Sequence, residues 1–440
     1  ARRVHWPIPA ARARNSVVCA APPTDSVFHF SPRKEHNDVT NASKQPILAG
    51  MKVIDATQAL AGPICTMYLG DMGAEVIKIE ELGKGDMTRG WAPPYVGSES
   101  AYFLSTNRNK RGVALKLDTE EGSEILRKLV YGADIFLNNF PRLDSLTKRR
   151  LDPESCLQVN PRLIHVSLTG FGRSGPYAER TGYDIIVQGM CGIMSITGEP
   201  DGPPVRYAVP IADLTGGIYA FTGILAAIIS RFQTGKGQAL DVSLLDSQLT
   251  WLSHVAGAYF ATGLDAVRQG NQHATITPYQ PYQARDHWFI IAVGSERLWQ
   301  KMCKILGVEE TLMVDPRFAT NPARNVNRPA LNAQLEPIFM TRDAADWLAD
   351  FDAAGIPCGP IYSVPQALND PHILARGDIV ELEHPTAGKV KSLAYPVHFS
   401  DEQMSYRLAA PTLGQHTVDV LHELGYRDDD IQALRDKGVI

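Results

Sequence analysis

The run Arg206-Tyr-Ala-Val-Pro-Ile-Ala-Asp213-Leu-Thr-Gly-Gly217 places one carboxylate between a short apolar stretch and a glycine pair. The stretch reads as a strand that stops at Asp213, with a helix opening behind it. Two chemistries fit. Asp213 can attack an activated acyl group, with backbone N–H groups near Gly216 and Gly217 holding the developing oxyanion. Alternatively it caps the helix, over roughly 214–231, since Asp is a preferred N-cap residue. A carboxylate nucleophile needs no partner base, so the lack of an evident Ser-His or Cys-His pair does not count against the first reading. The six cysteines show no CxxC pair and no metal-ligand spacing, which predicts reduced structural thiols and no metal.

The elements that must position Asp213 alternate between strand and helix. Residues 52–57, 75–80, 112–117, 133–138 and 163–168 read as buried strands. Between the first two, Ala61-Gly62-Pro63 opens a short helix that Gly70 and Gly73 close. Asp118-Thr-Glu-Glu-Gly is an acidic, capped helix start, followed by Ile125, Leu126, Leu129 and Val130 on one face. Strands separated by helices predict an α/β fold with a doubly wound parallel sheet. After about residue 245 the texture changes to long polar loops around one strand, 288–293, and an amphipathic helix over 343–351. The expected organisation is a large Rossmann-like domain from 47–245 and 375–440, and a smaller α+β domain from 246–374.

Composition narrows the function. The 440 residues are 44% hydrophobic and 21% charged, with a net charge of −5, so no basic excess exists to neutralise nucleic acid. The most apolar run, 218–229, is shorter than the roughly 20 residues that cross a bilayer, so it reads as a buried helix rather than a membrane span. Residues 1–46 are Arg-rich and acid-poor, with four arginines before Asp25. They read as a mitochondrial transit peptide or as a disordered tail.

Several strings occur together in a fixed order. They are Val53-Ile-Asp with Leu60-Ala-Gly-Pro63, Gly73-Ala-Glu-Val-Ile-Lys-Ile-Glu80, Gly85-Asp-Met-Thr-Arg-Gly-Trp91 and Asn107-Arg-Asn-Lys-Arg111. Ser167-Leu-Thr-Gly-Phe-Gly172, Gly182-Tyr-Asp184, Thr197-Gly-Glu-Pro-Asp-Gly-Pro-Pro204, Ala212-Asp213 and Thr234-Gly-Lys-Gly-Gln238 complete the set. From about residue 51 onward the chain resembles the class III CoA-transferases of the CaiB/BaiF family, most closely their dicarboxylate transferases. The resemblance implies an interlocked homodimer that takes coenzyme A thioesters as substrates, with the large domain the CoA-binding one and no permanently bound cofactor. It places the family's nucleophile on Asp213 and its CoA-contacting residues on Leu60, Ala61, Asn139, Phe140, Gly182, Tyr183 and Asp184. By the same resemblance Lys148 falls where the family carries a phosphate-binding base.

Other residues keep two readings. Lys110 binds CoA phosphates or belongs to a solvated basic loop, and Asp184 orients substrate or is a buried structural acid. His273 touches substrate or hydrogen-bonds its own loop. The family's Pro-Gly turn after Asn139-Phe140 is missing, and so is a glycine-rich loop near His273. The implied reaction moves CoA from an acyl-CoA, with succinyl-CoA the expected donor, to a dicarboxylic acid through aspartyl anhydride and aspartyl-CoA thioester intermediates. Arg206, His254, His273 and Arg285 are candidates for the cation that holds the acceptor's distal carboxylate. Two other activities on this fold are an α-methylacyl-CoA racemase and an inactive CoA-binding protein. The racemase pattern puts His before Asp in the Gly182-Tyr-Asp184 turn, where this chain has Tyr183. A nicotinamide dehydrogenase would need G-x-G-x-x-G after the first strand, and Leu60-Ala-Gly-Pro63 is not that.

Overall fold

The computed structural model describes residues 45–440, so the transit-peptide reading of the N-terminal segment lies almost wholly outside the described residues. Six parallel strands form the central sheet: β1 (Lys52–Ala56), β2 (Glu75–Glu81), β3 (Lys110–Leu115), β4 (Ile135–Asn138), β5 (Ile164–Thr169) and β6 (Gln238–Ser243). Their order is β3-β2-β1-β4-β5-β6. The direction of winding therefore reverses between β1 and β4. In such sheets ligands bind beyond the strand C-termini at this switch point.

Successive residues of a strand face opposite sides, and the core divides accordingly. Val53 and Leu137 pack with the helices Ala61–Asp71 and Ile211–Thr234 on one face. Ile54 and Phe136 pack on the other face with Glu120–Tyr131 and the C-terminal helices Thr417–Glu423 and Asp428–Asp436. The Glu120–Tyr131 helix begins as its sequence predicts. Thr119 accepts the Gly122 N–H at 3.1 Å, and Glu120 and Glu121 occupy the first turn.

Sequence reasoning missed β6. Only Leu240 and Val242 give it an apolar alternation, and as an edge strand it leaves half of its residues exposed. The strand expected over 206–211 does not form. Residues 203–207 have no regular structure, and the helix begins at Ile211. That helix runs 24 residues to Thr234 and is long and apolar enough to cross a bilayer by length and composition, with half of its apolar window buried in the fold. Its earlier start, at 211, explains why the apolar run alone understated it.

A second sheet, β7 (Tyr279–Gln283), β8 (Trp288–Ala292) and β9 (Cys358–Pro360), is antiparallel, with β8 central. Its core includes Tyr282, Phe289, Trp299, Phe339, Trp347 and Phe351, all from residues 282–356. Asp343 precedes the helix Ala344–Ala353, close to its predicted position. The hairpin Ile379–His384 and Gly388–Leu393 returns the chain to the first sheet, where Arg108 donates to the Leu393 carbonyl at 2.8 Å.

Candidate active site

A cavity of about 530 Å³ opens at the C-terminal ends of β1, β4 and β5, at the switch point. Gln58, Ala59 and Ala61 come from the turn after β1, Asn139 follows β4, and Thr169 and Gly170 end β5. Gly182, Tyr183, Asp184 and Asp213 close the far side. The glycines have a steric reason. A Cβ on Gly182 would lie 2.7 Å from the Gly170 Cα, and one on Gly170 would lie 2.6 Å from the Gly182 Cα, so only glycines let these two segments touch.

Asp213 is the third residue of the Ile211–Thr234 helix, not its cap; Pro210 stands at the N-cap position. The capping carboxylate comes from Asp184. Its Oδ1 accepts the Ala212 N–H at 2.8 Å and lies 3.4 Å from the Asp213 N, satisfying amides that an α-helix start leaves open. Gln188 holds Asp184 in turn, donating to Oδ2 at 2.6 Å and accepting from the Tyr207 N–H at 2.9 Å. The Asp213 side chain is thus released from capping and lines the cavity. Burial pushes its pKa up to about 7, and the neighbouring Asp184 adds to the shift. Near neutral pH it exchanges between a neutral acid and a nucleophilic carboxylate.

Gly216 and Gly217 have a different role from the one expected. They lie in the second turn of the helix, so their N–H groups belong to the helical ladder and do not face the cavity. A Cβ on Gly216 would meet Leu244 at 2.3 Å, and one on Gly217 would come within 2.6 Å of the Ala61 carbonyl oxygen. Gly217 lets the Asp213 helix pack closely against the start of Ala61–Asp71, and Gly216 makes room for Leu244. Leu60 is itself buried, and its carbonyl accepts the Ile64 N–H at 2.9 Å, so Ala61 rather than Leu60 lines the cavity.

The remaining predicted residues separate. Asn139 lines the cavity and is fixed by two bonds to Gln58, accepting its N–H at 3.1 Å and donating to its carbonyl at 3.0 Å. Phe140 instead packs against the sheet core. Arg173 donates to the Phe140 carbonyl at 2.7 Å. Lys148 is exposed at the end of the helix Leu143–Lys148 and does not line the cavity. Lys110 is wholly buried. Its Nζ donates to Asp55 at 2.9 Å, Pro63 at 2.8 Å and Asn107 at 2.9 Å, which leaves no donor for a phosphate. Burial, outweighing the attraction of Asp55, pulls Lys110 down to about 8.

His273 is a loop residue: its Nδ1 accepts the Thr275 and Ile276 N–H groups at 3.1 and 3.2 Å. Of the four candidate cations only Arg206 lines the cavity. Arg285 pairs with Asp343 at the surface, and His254 is exposed on the helix Ser253–Thr262. Arg180 also lines the cavity, its guanidinium 4.6 Å from the Tyr177 ring centre. It lies in the loop after β5, a position where the topology alone marks ligand contacts. Tyr102 and Trp91, packed edge to face, complete the wall. Burial first, then the charges of Asp213 and Asp184, push the Tyr102 phenol up to about 12, so it stays a hydrogen-bond donor at neutral pH. No local sequence signal points to Tyr102.

Fold and site together define an α/β protein with a carboxylate at a switch-point cavity. Residues 48–417 match CoA-transferase family III. The chain is 39% identical over 394 residues to human succinyl-CoA:glutarate CoA-transferase, covering 89% of this chain and 90% of that one. It is 40% identical over 388 residues to succinate–glutarate CoA-transferase of Agrobacterium fabrum, covering 87% and 96%. A CaiB/BaiF family protein of Brucella suis superposes with a TM-score of 0.79 at 41% identity, covering 87% of this chain and all of that one. The chain belongs to CoA-transferase family III, the CaiB/BaiF family, and is a CoA-transferase acting on CoA thioesters.

Proposed function

We propose that the enzyme moves CoA from succinyl-CoA to a dicarboxylic acid, with Asp213 as the covalent carrier. The observation that carries this reading is the partly buried Asp213 carboxylate, freed from capping by Asp184 and lining a switch-point cavity. The Asp213 carboxylate attacks the thioester carbonyl, the C–S bond breaks, and CoA thiolate leaves behind a mixed anhydride. The thiolate attacks the aspartyl carbonyl, forming aspartyl-CoA and releasing succinate. The acceptor carboxylate then displaces the thiolate to form a second anhydride. Attack of the thiolate on the acceptor's acyl carbon gives the new thioester and regenerates Asp213.

Tyr102, which lines the cavity and retains its proton at working pH, is the donor we assign to the developing oxyanion. Ala61, Asn139, Gly182 and Tyr183 line the space for the CoA thioester. Arg206 is the cation for the acceptor's distal carboxylate; its Nη1 has only backbone carbonyl contacts, at 3.2 and 3.3 Å. The glutarate transferases among the relatives support a five-carbon acceptor. An α-methylacyl-CoA racemase finds less support, because Tyr183 stands where its base is required.

We also infer a homodimer. The helix Ser253–Thr262 has no buried residue although it carries Tyr259 and Phe260, and Ile218, Ile229 and Phe232 are exposed along the Asp213 helix. Apolar faces of this extent mark an interface, and a second copy of the chain is the partner proposed. The Arg-rich N-terminal segment supports a mitochondrial matrix location, which imaging of the chain with and without residues 1–46 checks. The direct test of function is an acceptor screen with succinyl-CoA and a panel of mono- and dicarboxylates, with the CoA products read by mass. Transfer to glutarate or another dicarboxylate supports the assignment. Transfer only to monocarboxylates overturns it, and α-proton exchange without transfer favours the racemase.

A further inference from the structure

Two walls of the Asp213 cavity come from separate loops: Gln58 and Ala59 from the turn after β1, Met87 and Trp91 from the 3-10 turn Met87–Gly90 and its exit. One buried carboxylate joins them. Asp86 Oδ1 accepts the Ala59 N–H at 3.2 Å and, on the other wall, the Thr88 N–H at 3.0 Å and the Thr88 hydroxyl at 2.8 Å. Its Oδ2 accepts from Lys78 Nζ at 2.8 Å, and the same ammonium donates to the Thr57 carbonyl at 2.9 Å. The Asp86 N–H is held by Glu80 at 2.9 Å, and Arg89 clasps Glu80 through bonds of 2.7 and 2.9 Å.

Lys78 is 0% and Asp86 1% exposed, and neither lines the cavity. Such a pair is not explained by stability alone, because well-packed apolar side chains in its place are often as stable or more so. What it does achieve is geometric. Ala59 is held at φ 70°, a left-handed conformation uncommon for a residue with a Cβ, and its amide is the one bonded to Asp86.

We propose that the buried Asp86–Lys78 pair is a positioning device. It locks the Gln58–Ala61 turn against the Met87–Trp91 wall, so that a bound CoA thioester presents its carbonyl to Asp213. Neither side chain touches ligand. The inference rests on the CoA-transferase reading of this cavity and adds to it the residues that hold its shape.

The test uses the full chain with CoA as the titrant in calorimetry, and succinyl-CoA in steady-state assays with the best acceptor. Asp86→Ala removes both the bond to Ala59 and the partner of Lys78. Asp86→Asn keeps an acceptor oxygen for Ala59 and Thr88 but loses the charge. The expected results are CoA binding weakened about 10- to 100-fold by Asp86→Ala and about 3- to 10-fold by Asp86→Asn, with KM for succinyl-CoA rising in step. At saturating substrate kcat also falls, by about 3- to 10-fold, because the thioester carbonyl is no longer held in line with Asp213. Hydrogen exchange at the Ala59 amide quickens in both variants, while that of β4 and β5 does not. If Asp86→Ala does not fold, Asp86→Asn carries the test alone. Variants that lose thermal stability yet bind CoA within about twofold of wild type overturn the inference and leave the CoA reading intact. A wild-type protein that binds no CoA overturns both.

Discussion

Replacing Asp213 with Asn should make the protein more stable, by an amount that grows as pH rises from about 4 to about 7. The carboxyl is raised from 3.8 to about 7, chiefly by burial and secondarily by Asp184. At about 1.4 kcal/mol per pKa unit this is at most about 4 kcal/mol. The cavity opens to solvent, so screening reduces it to about 1–2 kcal/mol. The sign follows from linkage. With the folded pKa above the unfolded one, the native state holds the extra proton between about pH 4 and 7. The group's contribution to stability is complete below the unfolded value and is lost as pH rises through about 7. Asparagine stays neutral, so the variant escapes that loss. Urea unfolding at pH 5 and pH 8 measures it: the variant should gain about 1 kcal/mol more over wild type at pH 8 than at pH 5, the rest of the difference having built up below pH 5. Wild-type kcat/KM should show an acid limb near the same pH, with about a tenth of the plateau left at pH 6, because only the carboxylate attacks. A stability difference that does not change with pH would refute the argument that Asp213 is held partly neutral by its surroundings.

Three further outcomes follow from the same geometry. Asp184→Asn keeps an oxygen for the Ala212 N–H but removes the charge beside Asp213, so the acid limb of the rate profile should move down by about one pH unit. Because burial is the larger cause, the limb should still lie above the ordinary carboxylate range. Gly217→Val forces a Cβ to within 2.6 Å of the Ala61 carbonyl and should cost about 1–3 kcal/mol in denaturant unfolding. Arg206→Gln should raise KM for the dicarboxylate about 10- to 100-fold in steady-state assays, as expected for one charge-assisted hydrogen bond, and exchange of label between succinate and succinyl-CoA should weaken with it, since succinate carries the same distal carboxylate.

Much of the fold was legible because five strands of the central sheet are largely buried on both faces and carry clustered Val, Ile and Leu residues between turn and helix signals. β6 was not, since an edge strand with exposed Ala239 and Asp241 carries little apolar signal. The position of Asp213 in the site was legible, but its local structure was not. A Pro-Ile-Ala run resembles a strand, and the residue that frees Asp213 from capping lies 29 positions away in Asp184. The same non-local logic explains Lys110. Its sequence looks like a solvated basic cluster, yet the register of β3 beside β2 buries it against Asp55. Arg180 was recoverable in principle, being in the loop after a strand C-terminus. Tyr102 reaches the cavity only through tertiary packing.

The account depends most on covalent carriage by Asp213, and trapping the intermediate tests that directly. Wild-type protein incubated with succinyl-CoA and then treated with hydroxylamine should carry a hydroxamate on the peptide containing Asp213, found by mass and absent from Asp213→Asn. A modification on a different residue, or none at all while CoA transfer proceeds, would contradict the mechanism.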